Sequence, residues 1–296
     1  MDATIIHGDC LEVLKGMETN SVDLVMCSPP YEDARLYGEL GFKIKGQDWV
    51  DWAKERFAEC YRVSKGLVAW VVEGKTKDFQ WSATPALLMA DLHRAGIRLR
   101  KPPIYHRVGI PGSGGPEWLR NDYEFIVCAS KGRLPWADNT ACGHPPKYGP
   151  GGPPSHRLPD GTRVNARDKE ALRAAGIATG GRTSRSVNGE RVYRCYIPPE
   201  KANPGNVISV KVGGGKMGSQ IAFENEAPYP ESLCDFFVKS FCPPCGTVLD
   251  PFGGSGTTMA SALKHGRKAI SIDTRESQVS LMKRRLEEVK NENRND

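Results

Sequence analysis

Ser28-Pro29-Pro30-Tyr31 closes the apolar run "SVDLVMC" with a hydroxyl at one end and an aromatic ring at the other. Consecutive prolines fix φ and donate nothing to a ladder, so a strand must stop there and the residues at its carboxyl end are held rigidly. In open parallel sheets that edge is where ligands bind. Taken alone, the tetrapeptide also reads as a strand terminator with a packing tyrosine. A second stretch, "VLDPFGGSGTT", runs from an apolar strand through a glycine turn into a helix, the layout in which backbone N–H groups face a ligand. After Gly254 and Gly256 the third glycine of a dinucleotide loop is missing: Met259 stands there, followed by Ala260. The lysine of a phosphate-binding P-loop is missing too, because Thr257 comes directly after Gly256. Such a loop fits a nucleoside ligand without a pyrophosphate. Asp273 ends the next strand, 17 residues after Gly256, where a carboxylate accepts hydrogen bonds from ribose hydroxyls. Capping of the helix that starts near Glu276 competes for the same side chain.

The elements that must position these groups alternate along the chain. "ATII", "SVDLVMC", "GLVAWVV" and "DYEFIVCAS" read as strands, and "CLEVLKGM", "DWVDWAKERFAECYRVSK" and "ATPALLMADLHRAG" as helices. In the second helix Trp49, Ala53, Phe57 and Cys60 or Tyr61 recur at helical spacing. After residue 226 come a helix from Pro230 or Glu231, the strand Thr247 to Leu249, a helix from Thr257 or Thr258, the strand "KAISID" and a helix "ESQVSLMKRRLEEVK". The polar end "NENRND" should fray. This alternation predicts an α/β fold with a parallel sheet covered by helices on both faces. Because the chain ends one helix after Asp273, a complete nucleoside-binding sheet requires a circular permutation. The first strand then lies beside the last and brings Asp9 near the glycine loop.

Residues 133–225 differ in character. "HPPKYGPGGPPSHRLPDGTR" is rich in proline and glycine, and residues 133–220 hold 14 Lys and Arg against 6 Asp and Glu. The whole chain of 296 residues carries only +6, so the positive charge is concentrated there, which suggests a polyanionic partner or a solvated basic loop. "GIPGSGG" at 109–115 is a second expected mobile loop. No apolar run approaches the length of a membrane span, the N-terminus lacks a signal peptide, and nine cysteines without a framework spacing read as reduced thiols. These features point to a cytoplasmic protein away from membranes.

"HGDCLEVLKGMETNSVDLVMCSPPY", "RNDYEFIVCASKG", "APYPESL" and "VLDPFGGSGTT…AISID" together resemble the amino-group DNA methyltransferases that use S-adenosylmethionine, in the permuted order of their β group. The resemblance covers residues 4–132 and 226–290, and the segment between falls where that family carries its target-recognition region. It implies a permuted Rossmann-like methyltransferase sheet in two halves, 1–132 for catalysis and 226–296 for the cofactor, around a recognition insertion at 133–225. By motif position, Asp250, Pro251, Phe252, Gly253, Gly254, Ser255 and Gly256, with Thr257 and Thr258 behind them, resemble the loop around the methionine and ribose. Asp273 resembles the ribose acid, Asp9 with Cys10 the adenine contact, and Pro230, Ser232 and Leu233 the helix start flanking the methionine. Glu226 stands where many members have a histidine.

The resemblance implies double-stranded DNA as substrate, a flipped base, and Ser28, Pro29, Pro30 and Tyr31 as the catalytic group. An exocyclic amine is a poor nucleophile because its lone pair is delocalised into the ring. Acceptors at Ser28 Oγ and the Pro29 carbonyl would favour a pyramidal nitrogen, and Tyr31 would stack on the base. In this family serine at the first position is associated with cytosine N4 and aspartate with adenine N6. The expectation is therefore N4-cytosine methylation, with N6-adenine methylation as the alternative. Arg157, Arg163, Arg167, Arg182 and Arg185 are candidate phosphate or base contacts. A monomer or homodimer fits, as does a restriction endonuclease acting alongside.

Other chemistries fit the residues less well. Pro244-Cys245 resembles a carbon-5 nucleophile but precedes its strand and so lies at the wrong edge. "CPPC" at 242–245 could be a redox or zinc pair, and Cys142 with His144 lies near the insertion, but turn residues account for both and no metal is expected. Amide methylation uses a tetrapeptide beginning with Asn. A non-catalytic nucleic-acid-binding module would not need the intact glycines, and RNA as substrate is open on charge alone.

Overall fold

The computed structural model describes residues 2–32, 43–109, 117–146, 155–157, 161–165, 168–174, 182–187, 190–195, 200–212 and 217–295. Two compact units result, residues 1–142 with 204–296, and residues 143–203.

In the first unit the chain order is β1 (Ala3–His7), α1 (Cys10–Gly16), β2 (Val22–Cys27), α2 (Gly46–Val63), β3 (Ser64–Val72), the short pair β4 (Thr76–Lys77) and β5 (Gln80–Trp81), α3 (Thr84–Arg94), β6 (Ile104–Val108) and β7 (Tyr123–Ala129). The second unit holds β8 (Ser155–Arg157), β9 (Arg163–Asn165), α4 (Lys169–Ala174), β10 (Arg182–Val187) and β11 (Glu190–Cys195). The chain then returns with β12 (Val207–Lys211), the 3-10 turn Gln220–Glu224, α5 (Glu231–Phe241), β13 (Thr247–Asp250), α6 (Thr257–Lys264), β14 (Lys268–Asp273) and α7 (Glu276–Asn295).

Eight strands form one sheet in the order β1-β14-β13-β2-β3-β7-β6-β12. The first strand does lie beside the last: β1 and β14 pair in parallel from Ala3↔Ala269 to His7↔Asp273. β7 departs from the expected parallel sheet and runs antiparallel to β3 and β6. The reason is connective, since a parallel neighbour needs a crossover and no described helix separates β6 from β7. β6 and β12 were not foreseen as strands, and β12 shows that the chain rejoins the main sheet before residue 225.

Alternation within the apolar strands explains why they read as continuous runs. Leu24 and Met26 of β2 pack on the face covered by α5, α6 and α7, while Val25 and Cys27 pack with α2 and α3 on the other. Trp49, Ala53, Phe57 and Cys60 form the buried stripe of α2, and all four are fully buried. Burying side chains of this size contributes about 1.5–3 kcal/mol each for the larger apolar ones. α7 runs on through the polar end to Asn295 rather than fraying at residue 291, with Glu292 paired to Lys264 of α6 at 3.0 Å.

The second unit contains two antiparallel hairpins and the short α4, whose Leu172 is buried. Arg157 pairs in register with Arg163, Arg182 with Cys195, and Arg185 with Val192. Arg167 lies outside the described residues, as does the "GIPGSGG" loop beyond Gly109. Eight described cysteines are free thiols. Cys242 caps α5 through its backbone N–H, and Cys245 N–H bonds Gly266 O, so "CPPC" is built as the turn before β13. No described helix is long and apolar enough to cross a membrane.

Candidate functional site

The carboxyl ends of β13, β14, β1 and β2 open on one cavity of about 620 Å³, within the ~300–1,000 Å³ range of small-molecule sites. Asp9, Cys10, the whole Ser28–Tyr31 segment, Pro230, Pro251 to Ser255, Thr257 and Asp273 all line it. Four expected residues do not. Asp250 and Thr258 are buried beneath the loop, Gly256 serves as the turn before α6, and Ser232 is exposed on α5.

At one end of the cavity the glycine loop is built for close approach. Gly254 (φ +52°) and Gly256 (φ +79°) adopt left-handed backbone that only glycine enters freely. A Cβ on Gly253 would meet Met282 Sδ at 2.4 Å, so any side chain there would push α7 away. Asp273 anchors the loop by accepting Gly254 N–H at 3.0 Å, and its other oxygen accepts Arg275 N–H at 3.0 Å. Its carboxylate therefore ties two turns together ahead of the helix rather than capping the first turn of α7. Burial pushes its pKa up against those bonds. Asp9 does cap its helix, taking Leu11 N–H at 2.8 Å, and pairs with Arg56 at 3.4 Å. Burial raises the Cys10 thiol to about 12, so it stays protonated. Arg56 lies 4.5 Å over the Trp52 ring, and Trp52 sits 5.8 Å from Phe252. The loop, its two acids and this aromatic wall fit a nucleoside with ribose hydroxyls and a flat base.

The other end holds the tetrapeptide. Trp49 Nε1 donates to Pro30 O at 2.9 Å, locking the prolines onto α2. Ser28 Oγ has Val71 O at 3.2 Å and Tyr31 Oη at 3.3 Å as acceptors for its hydrogen. Tyr31 in turn donates to Glu124 at 2.7 Å, and Glu124 pairs with Arg107 at 3.1 Å. Sequence reading missed Glu124 and Arg107, which come from β7 and β6. The available signal was an acid inside the apolar run "DYEFIVC". It also missed Arg275, which lines the cavity and pairs at 2.8 Å with Glu226, the residue standing in the histidine position.

Asp250 gives a pH-dependent prediction. Burial raises it from 3.8 to about 6, against bonds from Phe252 N–H, Thr258 and Tyr229. A raised acid makes the native state hold a proton that the unfolded chain releases, so its contribution to stability falls as pH rises from about 4 to 6 and is level above. The full shift is worth about 3 kcal/mol. Asp250→Asn should gain that amount relative to wild type between pH 4 and pH 7, read as the difference of their urea-unfolding free energies. A difference that does not change with pH would show that Asp250 keeps an ordinary pKa.

A family profile described as DNA methylase matches residues 22–284. The DNA adenine methyltransferase YhdJ of Escherichia coli strain K12 is 26% identical over 285 residues, covering 96% of this chain and 82% of that protein. Among solved structures, the cytosine-N4-specific PvuII DNA methyltransferase superposes with a TM-score of 0.66 at 17% identity, covering 98% of this chain and 91% of its own. A DNA modification methylase of Thermus thermophilus, TTHA0409, solved with S-adenosyl-L-methionine, gives 0.56 at 20% identity, covering 98% and 96%. These two likenesses show a shared fold, and the profile match, spanning every strand of the sheet except β1, shows the family: the chain belongs to the DNA methylases that act on adenine N6 or cytosine N4.

Proposed function

We propose that the protein transfers the methyl group of S-adenosylmethionine to the exocyclic N4 amine of cytosine in duplex DNA, at a base turned out of the helix. The observation that carries this reading is the orientation of Ser28. Its hydroxyl hydrogen is directed to Val71 O or Tyr31 Oη, so the Oγ lone pairs are left to accept from an amine. S-adenosylmethionine supplies, when bound, an electrophilic methyl on a sulfonium. The glycine loop, Asp273 and the Asp9–Arg56–Trp52 wall hold its nucleoside part. At the far end Ser28 and the Pro29 carbonyl accept the two amine hydrogens and turn the nitrogen's lone pair toward the methyl. Tyr31, fixed through Glu124, offers its ring to the base. The proton is lost as the nitrogen becomes cationic, so no strong general base is needed. The basic segment at 143–203, with Arg157, Arg163, Arg167, Arg182 and Arg185, supplies phosphate or base contacts.

Ser28 favours cytosine over adenine. Methylation at adenine N6 is the second reading, favoured by the 26% identity to YhdJ. Incubation with methyl-labelled S-adenosylmethionine and mixed-sequence duplex DNA, digestion to nucleosides and mass analysis separates the two. Labelled N4-methylcytosine is expected. Label on N6-methyladenine would keep the enzyme class and remove the role given to serine in choosing the base, and no label on DNA would overturn the reading.

A further inference from the structure

The turn between β4 and β5 is built against two ordinary preferences at once. Its two central residues, Asp78 (φ 49°) and Phe79 (φ 63°), both lie in the left-handed region, the sign pattern of a two-residue I′ hairpin. Asp suits the first position, but the second favours glycine, and a bulky side chain there is strained. Burial does not account for the phenylalanine either, since Phe79 is 90% exposed.

The hairpin beneath this ring is rigid and is clamped to the catalytic segment. Glu32, the residue after Tyr31, is buried and accepts from Lys75 N–H at 3.1 Å, from Ser82 Oγ, and from Thr84 Oγ1 at 3.0 Å. It thereby holds both feet of the hairpin. Ser82 N–H closes onto Lys75 O at 2.9 Å, and Trp81 Nε1 bonds Glu73 at 3.0 Å. β2 and β3 are parallel neighbours, so the tetrapeptide and the hairpin leave the sheet at the same edge. Exposed Trp118 and Leu119 precede β7 at that edge too, because β7 is antiparallel to β3. Lys75 and Lys77 flank the turn with positive charge.

A base turned out of a duplex leaves a gap in the stack, and an apolar side chain that fills it recovers stacking and holds the open state. We propose that Phe79 is that side chain: a wedge that enters the duplex where the target base leaves, at a distance from Ser28–Tyr31 fixed by Glu32. The proposal rests on the methyltransferase reading above and adds the element that opens the DNA. Strain at the turn keeps the ring projecting, and the lysines beside it meet the phosphates that flank the gap.

The test compares wild type, Phe79→Gly and Phe79→Trp on two duplexes that carry the sequence the wild-type enzyme methylates. One is fully paired. The other has an abasic position opposite the target, where extrusion costs less. Glycine relaxes the turn, so this variant should melt at or above the wild-type temperature and bind S-adenosylmethionine unchanged. Its initial methylation rate should fall about ten-fold or more on the paired duplex and stay within about two-fold on the abasic one, while tryptophan keeps both rates. Wild-type rates on both duplexes, or an equal loss on both, would overturn the wedge. If wild type itself labels no DNA, the methyltransferase reading falls and the wedge with it, an outcome distinct from a variant that fails alone.

Discussion

Ser28→Ala is expected to lower kcat by roughly 10²-fold or more while leaving the Kd for S-adenosylmethionine unchanged, as removal of a single preorganised polar group at a developing charge does elsewhere. The geometry divides the two quantities. Ser28 stands at the tetrapeptide end of the cavity, away from the glycine loop, and its bonds run to Val71 O and Tyr31 Oη rather than to any group around Asp273. Alanine removes an acceptor that matters only as the amine nitrogen turns pyramidal, so it removes an interaction made in the transition state. The backbone should hold, because Trp49 still locks Pro30 O and the prolines still fix φ. Isothermal titration with the cofactor and single-turnover methylation separate the effects. Full activity in Ser28→Ala would mean that the amine is activated by the Pro29 carbonyl alone or by another group, with Glu124 of the Tyr31–Glu124 pair the next residue to replace.

The cofactor end of the site was more legible in the sequence than the tetrapeptide end, for a physical reason. Gly254, Gly256 and Asp273 announce themselves locally: a glycine is needed where φ is positive, and a carboxylate that ends a strand faces the ligand edge. The pairing of β1 with β14 could be deduced because a half-sheet was missing at one terminus and present at the other. Arg107 and Glu124 carry no such local mark. They meet only because β6 and β7 pair, and neither β6 nor its partner β12 has the length or apolar content to stand out from sequence. Edge strands of "IYHRV" type draw their order from their neighbours, so their pattern is weak before the sheet exists. Asp250 was foreseen as a cofactor contact from its motif position. Being buried under the loop, it acts on the site through Phe252 N–H and Tyr229, which no motif position reveals.

Asp273→Ala is expected to raise the Kd for S-adenosylmethionine by about 10²-fold, with kcat at saturating cofactor close to wild type. Two losses combine. On the proposed reading the ribose hydroxyls lose their acceptor, and Gly254 N–H loses the carboxylate that positions the glycine loop at 3.0 Å. Hydrogen bonds to a charged group contribute about 1.5–3 kcal/mol each, so one or two of them cover the predicted change. Asp273→Asn keeps one acceptor oxygen without the charge and should fall between the two, which a purely steric role for the side chain would not produce. Acidification should act in the same direction. Burial raises this carboxyl above its usual range, so cofactor affinity should decline at a higher pH than an ordinary aspartate would cause, and that decline should vanish in Asp273→Asn. A variant with unchanged affinity and reduced kcat would move Asp273 to the reacting end of the cavity. The ribose would then need another acceptor, and Asp9 is poorly placed to serve, since one of its oxygens already caps α1 through Leu11 N–H and the other is paired with Arg56.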